Sequence, residues 1–106
     1  MPESQDYSLT LTDEAIGDID RLDLFLRPLN PNAADRFQDV LWDSLNSLLE
    51  MPRIGEPWPE APPDQDIREL QVSFGKRGYV VRYRIKGREI VVVRIHHFRE
   101  DRRPGA

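Results

Sequence analysis

The sequence predicts an α+β fold, an N-terminal helical hairpin packed on a three- to four-stranded antiparallel β-sheet. Three observations lead there. Apolar residues recur at three- and four-residue steps through the first half of the chain, the period of helices buried on one side. A proline-dense stretch, "PRIGEPWPEAPPDQD" from Pro52 to Asp66, then interrupts all regular structure with five prolines and one glycine. Beyond it, apolar and polar residues alternate with period two, punctuated by glycines, as in strands joined by tight turns.

Each element follows in order. "YSLTL" alternates well enough for a short strand. Thr12 supplies a hydroxyl N-cap, and Asp13 and Glu14 place negative charge where the helix dipole favours it. Ala15, Ile16, Ile19, Leu22 and Leu26 then mark an amphipathic helix that ends before Pro28. Asn30-Pro31 reads as an N-cap with proline in the first turn. Ala34, Phe37, Leu41, Leu45 and Leu48 form the inner face of a second helix, which stops at Met51-Pro52. So short a connection predicts an antiparallel helical hairpin. Trp58, in the proline-rich connection, is expected either to fold back onto the core or to serve as a partner contact.

The last third is β. In "IRELQVSF", Leu70, Val72 and Phe74 point one way. Gly75 to Gly78 turn the chain into "YVVRYRI", where Tyr79, Val81, Tyr83 and Ile85 line one face and Val80, Arg82 and Arg84 the other. Lys86-Gly87 turn it again into "EIVVVRIHHF", apolar on both faces as a middle strand would be. The three strands form a meander, the N-terminal strand can add to its edge, and the hairpin covers one face.

At 106 residues the chain is expected to be one domain spanning 1–106. It holds no cysteine, so disulfide frameworks and thiolate chemistry are excluded. The start "MPESQDYSLT" lacks a signal-peptide pattern and no apolar run approaches a membrane span, so the expected location is the cytoplasm. The net charge of −4 hides a split: residues 1–66 carry −11 and residues 67–106 carry +7. A basic C-terminal third can attract phosphates or an acidic partner, or simply form a solvated face.

The segment "RIHHFRED" holds the candidate chemistry. Successive strand side chains point to opposite faces, so His96 and His97 cannot both ligate one metal, and no further ligand spacing is present. No metal and no cofactor is expected. His96 is placed on the face carrying Ile90, Val92 and Arg94, with Arg82 and Arg84 on the neighbouring strand. These four form either a polyanion-binding floor or an ordinary wet face. His97, in step with Val91, Val93 and Ile95, reads as a half-buried, hydrogen-bonded histidine.

"RELQVSFGKRGYVVRYRIKGREIVVVRIHHFRED" resembles the C-terminal half of toxins in the RelE/ParE superfamily, the toxin partners of type II toxin–antitoxin systems, often labelled plasmid stabilisation proteins. The matching features are Arg68-Glu69-Leu70, Phe74-Gly75, Gly78-Tyr79, Tyr83-Arg84, the Ile90–Val93 run and His97-x-Arg99-Glu100. Upstream, Asn30-Pro31, Ala33-Ala34 and the segment Met51-Pro52-Arg53-Ile54-Gly55 match as well, so the resemblance covers nearly the whole chain. It implies the architecture derived above and an antitoxin whose C-terminal segment wraps the toxin and blocks it.

The superfamily divides by target. RelE-like members cut mRNA on the ribosome without a metal, which requires a base for the ribose 2′-OH, cations on the charged transition state and an acid for the leaving oxygen. The nuclease pattern has an arginine after the tyrosine that opens the middle strand, and here that position is Val80. Its second arginine is matched by Arg99, before Glu100, while "DRRPGA" supplies no terminal aromatic. ParE-like members instead inhibit DNA gyrase by protein contact, and these departures lean that way. Catalytic candidates under the nuclease reading are Arg99, His97, His96 and Arg82. Target- or RNA-binding candidates are Arg82, Arg84, Arg94, His96 and Arg99. A relative that only binds its antitoxin is the third reading. Acidic residues at the expected outer helix positions, Asp18, Asp20, Asp39 and Asp43, and the sheet arginines would pair with charges at the rim of the antitoxin.

Overall fold

The computed structural model describes residues 7–75 and 77–98, with Arg77 described in its backbone only. The elements are β1 (Ser8–Leu11), α1 (Asp13–Leu26), α2 (Pro31–Glu50), β2 (Glu56–Pro57), β3 (Asp66–Phe74), β4 (Arg77–Lys86) and β5 (Glu89–His97). Both helices start as the sequence dictates. The Thr12 hydroxyl accepts from the Ala15 N–H at 3.1 Å, and the Asn30 side-chain oxygen accepts from the Ala33 N–H at 3.0 Å. Pro31, lacking an N–H, occupies the first turn of α2.

The strands form one sheet in the order β1-β5-β4-β3-β2. The meander β3–β4–β5 is antiparallel as expected, but the sheet has five strands and is mixed. β1 pairs with β5 in parallel. Strands joined by a tight turn must be antiparallel, whereas β1 reaches β5 only through the rest of the chain, so its direction is set by packing. The fifth strand, β2, lies in the proline-rich stretch, and Pro57 is tolerated because β2 is an edge.

Turns set the register: the first is shorter than expected, and the second is the expected length but lies one residue further on. Phe74 pairs with Arg77 and Lys86 with Glu89, so each connection holds two residues, begun by Gly75 at φ 64° and Gly87 at φ 58°. Only glycine adopts that left-handed region without cost.

The hairpin and the sheet enclose the core. From the helices come Ala15, Ile19, Leu22, Phe37, Leu41, Leu45 and Leu48; from the sheet come Val72, Tyr79, Val81, Tyr83, Ile85, Ile90, Val92 and Ile95. Phe37, Phe74 and Tyr79 form an aromatic cluster with ring centroids 4.8 to 6.0 Å apart. Two helix residues depart from their expected faces: Ile16 is 48% exposed and Asp18 only 5% exposed.

The parity expected along β5 also fails. Arg82 pairs with Arg94 but Tyr83 with Val92, which leaves Val93 as an extra residue in a β-bulge. Ile90 and Val92 are therefore core residues before the bulge, and Ile95 is one after it. Arg94 and His96 fall on the opposite face from Ile90 and Val92.

The Pro52–Gly55 approach to β2 is fastened from below by Tyr83. Its hydroxyl donates to the Pro52 carbonyl at 2.7 Å and accepts from the Gly55 N–H at 2.9 Å. A Cβ at position 55 would lie 2.7 Å from that hydroxyl oxygen and 2.8 Å from the Glu69 carbonyl, so glycine is required there by close approach. Tyr83→Phe removes one oxygen and leaves two backbone groups unmatched. It is expected to destabilise the protein by about 1–3 kcal/mol, read as a lower urea midpoint at unchanged m-value.

Candidate functional site

The outer face of the sheet, opposite the helices, carries the candidate cations. Pairing places Val80 beside His96, Arg82 beside Arg94 and Arg84 beside Val91. Arg82, Arg84, Arg94 and His96 therefore do share one face, and the bulge at Val93 is what puts the last two there. Their side chains are committed very differently.

Arg82 is held by its own sheet. Its Nε and Nη2 donate to Glu69 Oε2 at 2.9 and 2.7 Å, and its guanidinium lies 4.0 Å from the centre of the Trp58 ring. The Arg82 side chain is only 15% exposed and the Glu69 side chain 23%. Trp58 folds back, but onto this outer cation instead of the core, with its backbone N–H donating to the Ile67 carbonyl at 2.8 Å. A shielded ion pair under an aromatic ring is tighter than an exposed one.

Arg94 is committed to a helix. Its Nε donates to Asp18 Oδ2 at 2.8 Å and its Nη2 to Asp18 Oδ1 at 3.1 Å. The same Asp18 Oδ2 accepts the Ile95 backbone N–H at 2.8 Å, and Arg21 reaches Oδ1 at 3.2 Å. β1 ends at Leu11, where the Thr12 N–H donates to the Val92 carbonyl and its hydroxyl to the Val93 carbonyl. Beyond that point Asp18 takes the place of a neighbouring strand. Burial pushes its carboxyl up, but hydrogen bonds from Arg94, Ile95 and Arg21 outweigh this and hold it below its usual range.

The remaining candidates differ again. Arg84 is half-buried, and its guanidinium has no hydrogen bond or ion pair among the described residues. His96 is buried at 9% exposure. His97, half-buried as expected, stands edge-on to Tyr79 with centroids 5.3 Å apart. Arg99 and Glu100 lie outside the described residues. Among the described residues no three His, Cys, Asp or Glu side chains gather as metal ligands, and no helix is long and apolar enough to cross a membrane.

Sequence reasoning named Glu69, Asp18 and Trp58 but missed their pairing with the sheet arginines. A signal existed for the first: counting outward from a two-residue turn at Gly75 pairs Glu69 with Arg82, whereas a longer turn displaces the match. Nothing local marked Asp18, whose partners lie 76 and 77 residues away in sequence.

The sheet also has an open flank. β2 covers β3 only at Arg68 and Glu69, so the outer edge of β3 beyond Leu70 has no strand beside it among the described residues. A groove of about 410 Å³ lined by Ile54, Pro57, Pro59, Leu70 and Gln71 runs up to that edge. Another of about 270 Å³, lined by Gln71, Ser73, Tyr79, Val80 and Phe98, lies past it.

This arrangement, a helical hairpin on one mixed five-stranded sheet, is a two-layer α+β fold with a known counterpart. A solved chain described as "Chromosomal ParDE TA system from P. aeruginosa" superposes with a TM-score of 0.66, covering 88% of this chain and 97% of that one at 21% identity. The family described as "ParE toxin of type II toxin-antitoxin system, parDE" matches residues 9–102. Two relatives from Caulobacter vibrioides agree. Toxin RelE3 is 35% identical over 95 residues, covering 90% of this chain and 98% of its own length. Toxin RelE1 is 33% identical over 96 residues, covering 91% and 98%. The chain belongs to the ParE toxin family of type II toxin–antitoxin systems, and its family implies a cognate antitoxin as partner.

Asp18→Asn keeps the shape but removes the charge. With Arg94 half-exposed and able to hydrate, the expected loss is about 1–3 kcal/mol at neutral pH. The Asp18 pKa is lowered on folding, so its contribution is present above the unfolded value and lost as pH falls through the folded one. The variant should therefore show a shallower acid-side fall in stability than the wild type, measured by urea melts between neutral and strongly acidic pH.

Proposed function

We propose that this toxin acts by protein contact, with DNA gyrase as its target, and not by cutting RNA. Residues 1–106 would serve as one toxin domain in the cytoplasm. The observation that carries this reading is the commitment of the sheet cations. Arg82 is neutralised by Glu69 and roofed by Trp58, and Arg94 is neutralised by Asp18. At either arginine a phosphate would meet a charge already offset by a carboxylate of the chain itself, which weakens its hold on a phosphoryl transition state. Val80, in place of the arginine expected of a nuclease, agrees.

The antitoxin would use the free edge of β3 beside that same face. An extended acidic segment can add to the free edge of β3, fill the two grooves and bring a carboxylate to Arg84. Ordering a segment that is disordered when free costs several kcal/mol of the gross interaction, which the long edge and both grooves can offset.

The competing reading, a ribosome-dependent endoribonuclease, is favoured by one feature. His97 stands against Tyr79 at the end of β5, two residues before Arg99. Purified toxin is expected to inhibit supercoiling by purified gyrase, and the cognate antitoxin to relieve it. No inhibition at saturating toxin would sink the gyrase reading. New mRNA ends in a translating extract, lost when His96, His97 and Arg99 are changed to alanine, would establish the nuclease instead.

A further inference from the structure

We infer that the outer stripe of α1 and the turn after it form a rigid apolar knob that docks into the toxin's target. The partner's surface would be an apolar cleft with a basic rim on a globular protein. The inference rests on the protein-contact reading above.

A helix packed on a core ordinarily turns polar residues outward. The last turn of α1 does not. Leu24, Phe25 and Leu29 are 70%, 72% and 72% exposed, the most open large apolar side chains among the described residues. Single exposed leucines are ordinary, but these are contiguous. The Arg27 N–H donates to the Asp23 carbonyl and the Asn30 N–H to the Leu26 carbonyl, so helical winding continues through the turn. Residues four apart then stack, Leu24 over Pro28 and Phe25 over Leu29. One further turn back, the same stripe carries Asp20 and Arg21, then Ile16 and Gly17, all exposed.

Three further features point outward. The knob is rigid: Arg27 donates to both Asp23 oxygens at 2.9 Å and to Asp35 at 3.0 Å, while Gln38 reaches Asp23 at 3.1 Å. A pre-ordered surface loses little entropy on docking. No packing contact requires glycine at position 17, since a Cβ there meets nothing within 4 Å. Glycine inside a helix weakens it, and close approach of another backbone is a reason to keep one. Finally, residues 13–50 hold nine Asp or Glu against three Arg, so the knob rises from an acidic surface and calls for a basic surround. α1 packs beside β5 and β1, two strands from the free edge of β3, so the antitoxin and the target would meet different flanks.

The test is growth arrest on induction, with antitoxin co-purification and a thermal melt alongside. The variant Leu24→Asp, Phe25→Asp, Leu29→Asp should need about ten-fold more expression, or more, to arrest growth. It should still melt near the wild-type temperature and still co-purify with the antitoxin. Gly17→Leu should lose arrest likewise without a lower melting temperature, and it decides the matter if the triple variant fails to fold. Asp20→Lys should weaken arrest. Arrest by the folded variants at wild-type expression overturns this inference and leaves the protein-contact reading standing. Loss of antitoxin binding together with arrest also overturns it, because the stripe would then belong to the antitoxin. Absence of arrest by the wild type overturns both.

Discussion

One buried carboxylate connects the halves of this molecule. The edge of β5 beyond Val92 would expose backbone donors where β1 ends, and an uncovered strand edge invites unwanted pairing. Asp18 closes it by accepting the Ile95 N–H while gripping the Arg94 guanidinium. The position of α1 over the sheet, the outward swing of Arg94 at the bulge and the neutral character of that corner all follow. A charge so enclosed is tolerated only because every strong partner it needs is supplied.

The same logic runs along the outer face. The basic C-terminal third gathers its cations there, but folding assigns carboxylates to two of them before any partner arrives. Glu69 sits across the strand from Arg82, and Trp58 closes over the pair. What is left is a mixed surface on which Arg84, beside Ile67 and Val91, has no hydrogen bond or ion pair among the described residues. Such a surface favours recognition of a shaped partner over the grip of a bare polyanion, because a phosphate chain would compete with carboxylates held at fixed distances.

The molecule therefore presents two flanks of contrasting chemistry. On one, the free edge of β3 and its grooves offer backbone groups and shallow apolar space to an extended segment. On the other, a stiff helical turn pushes bulky apolar residues into solvent above acidic helices. Under the proposed protein-contact reading, a toxin held by one protein and acting on another has use for both. An antitoxin spread across the sheet would block a large target sterically even without covering the apolar turn itself.

The sequence by itself determined every element but β2, and most of the core. Thr12 and Asn30 began the helices and Met51-Pro52 ended the second. The alternation from Leu70 to Ile85 assigned the faces of the middle strand, because caps, proline and side-chain period are local chemistry. The family was legible for the same reason, since its features are short ordered signatures. What tertiary structure decided was everything fixed by pairing across distance. The bulge at Val93 reversed the parity of β5, the two-residue turns set Glu69 against Arg82, and β1 lay parallel to β5. Asp18, reading locally as one more acidic position on an outer helix face, was buried because the strand beside it ran out. A residue's period says which way it points along its own element; only the packing of elements says what waits there to meet it.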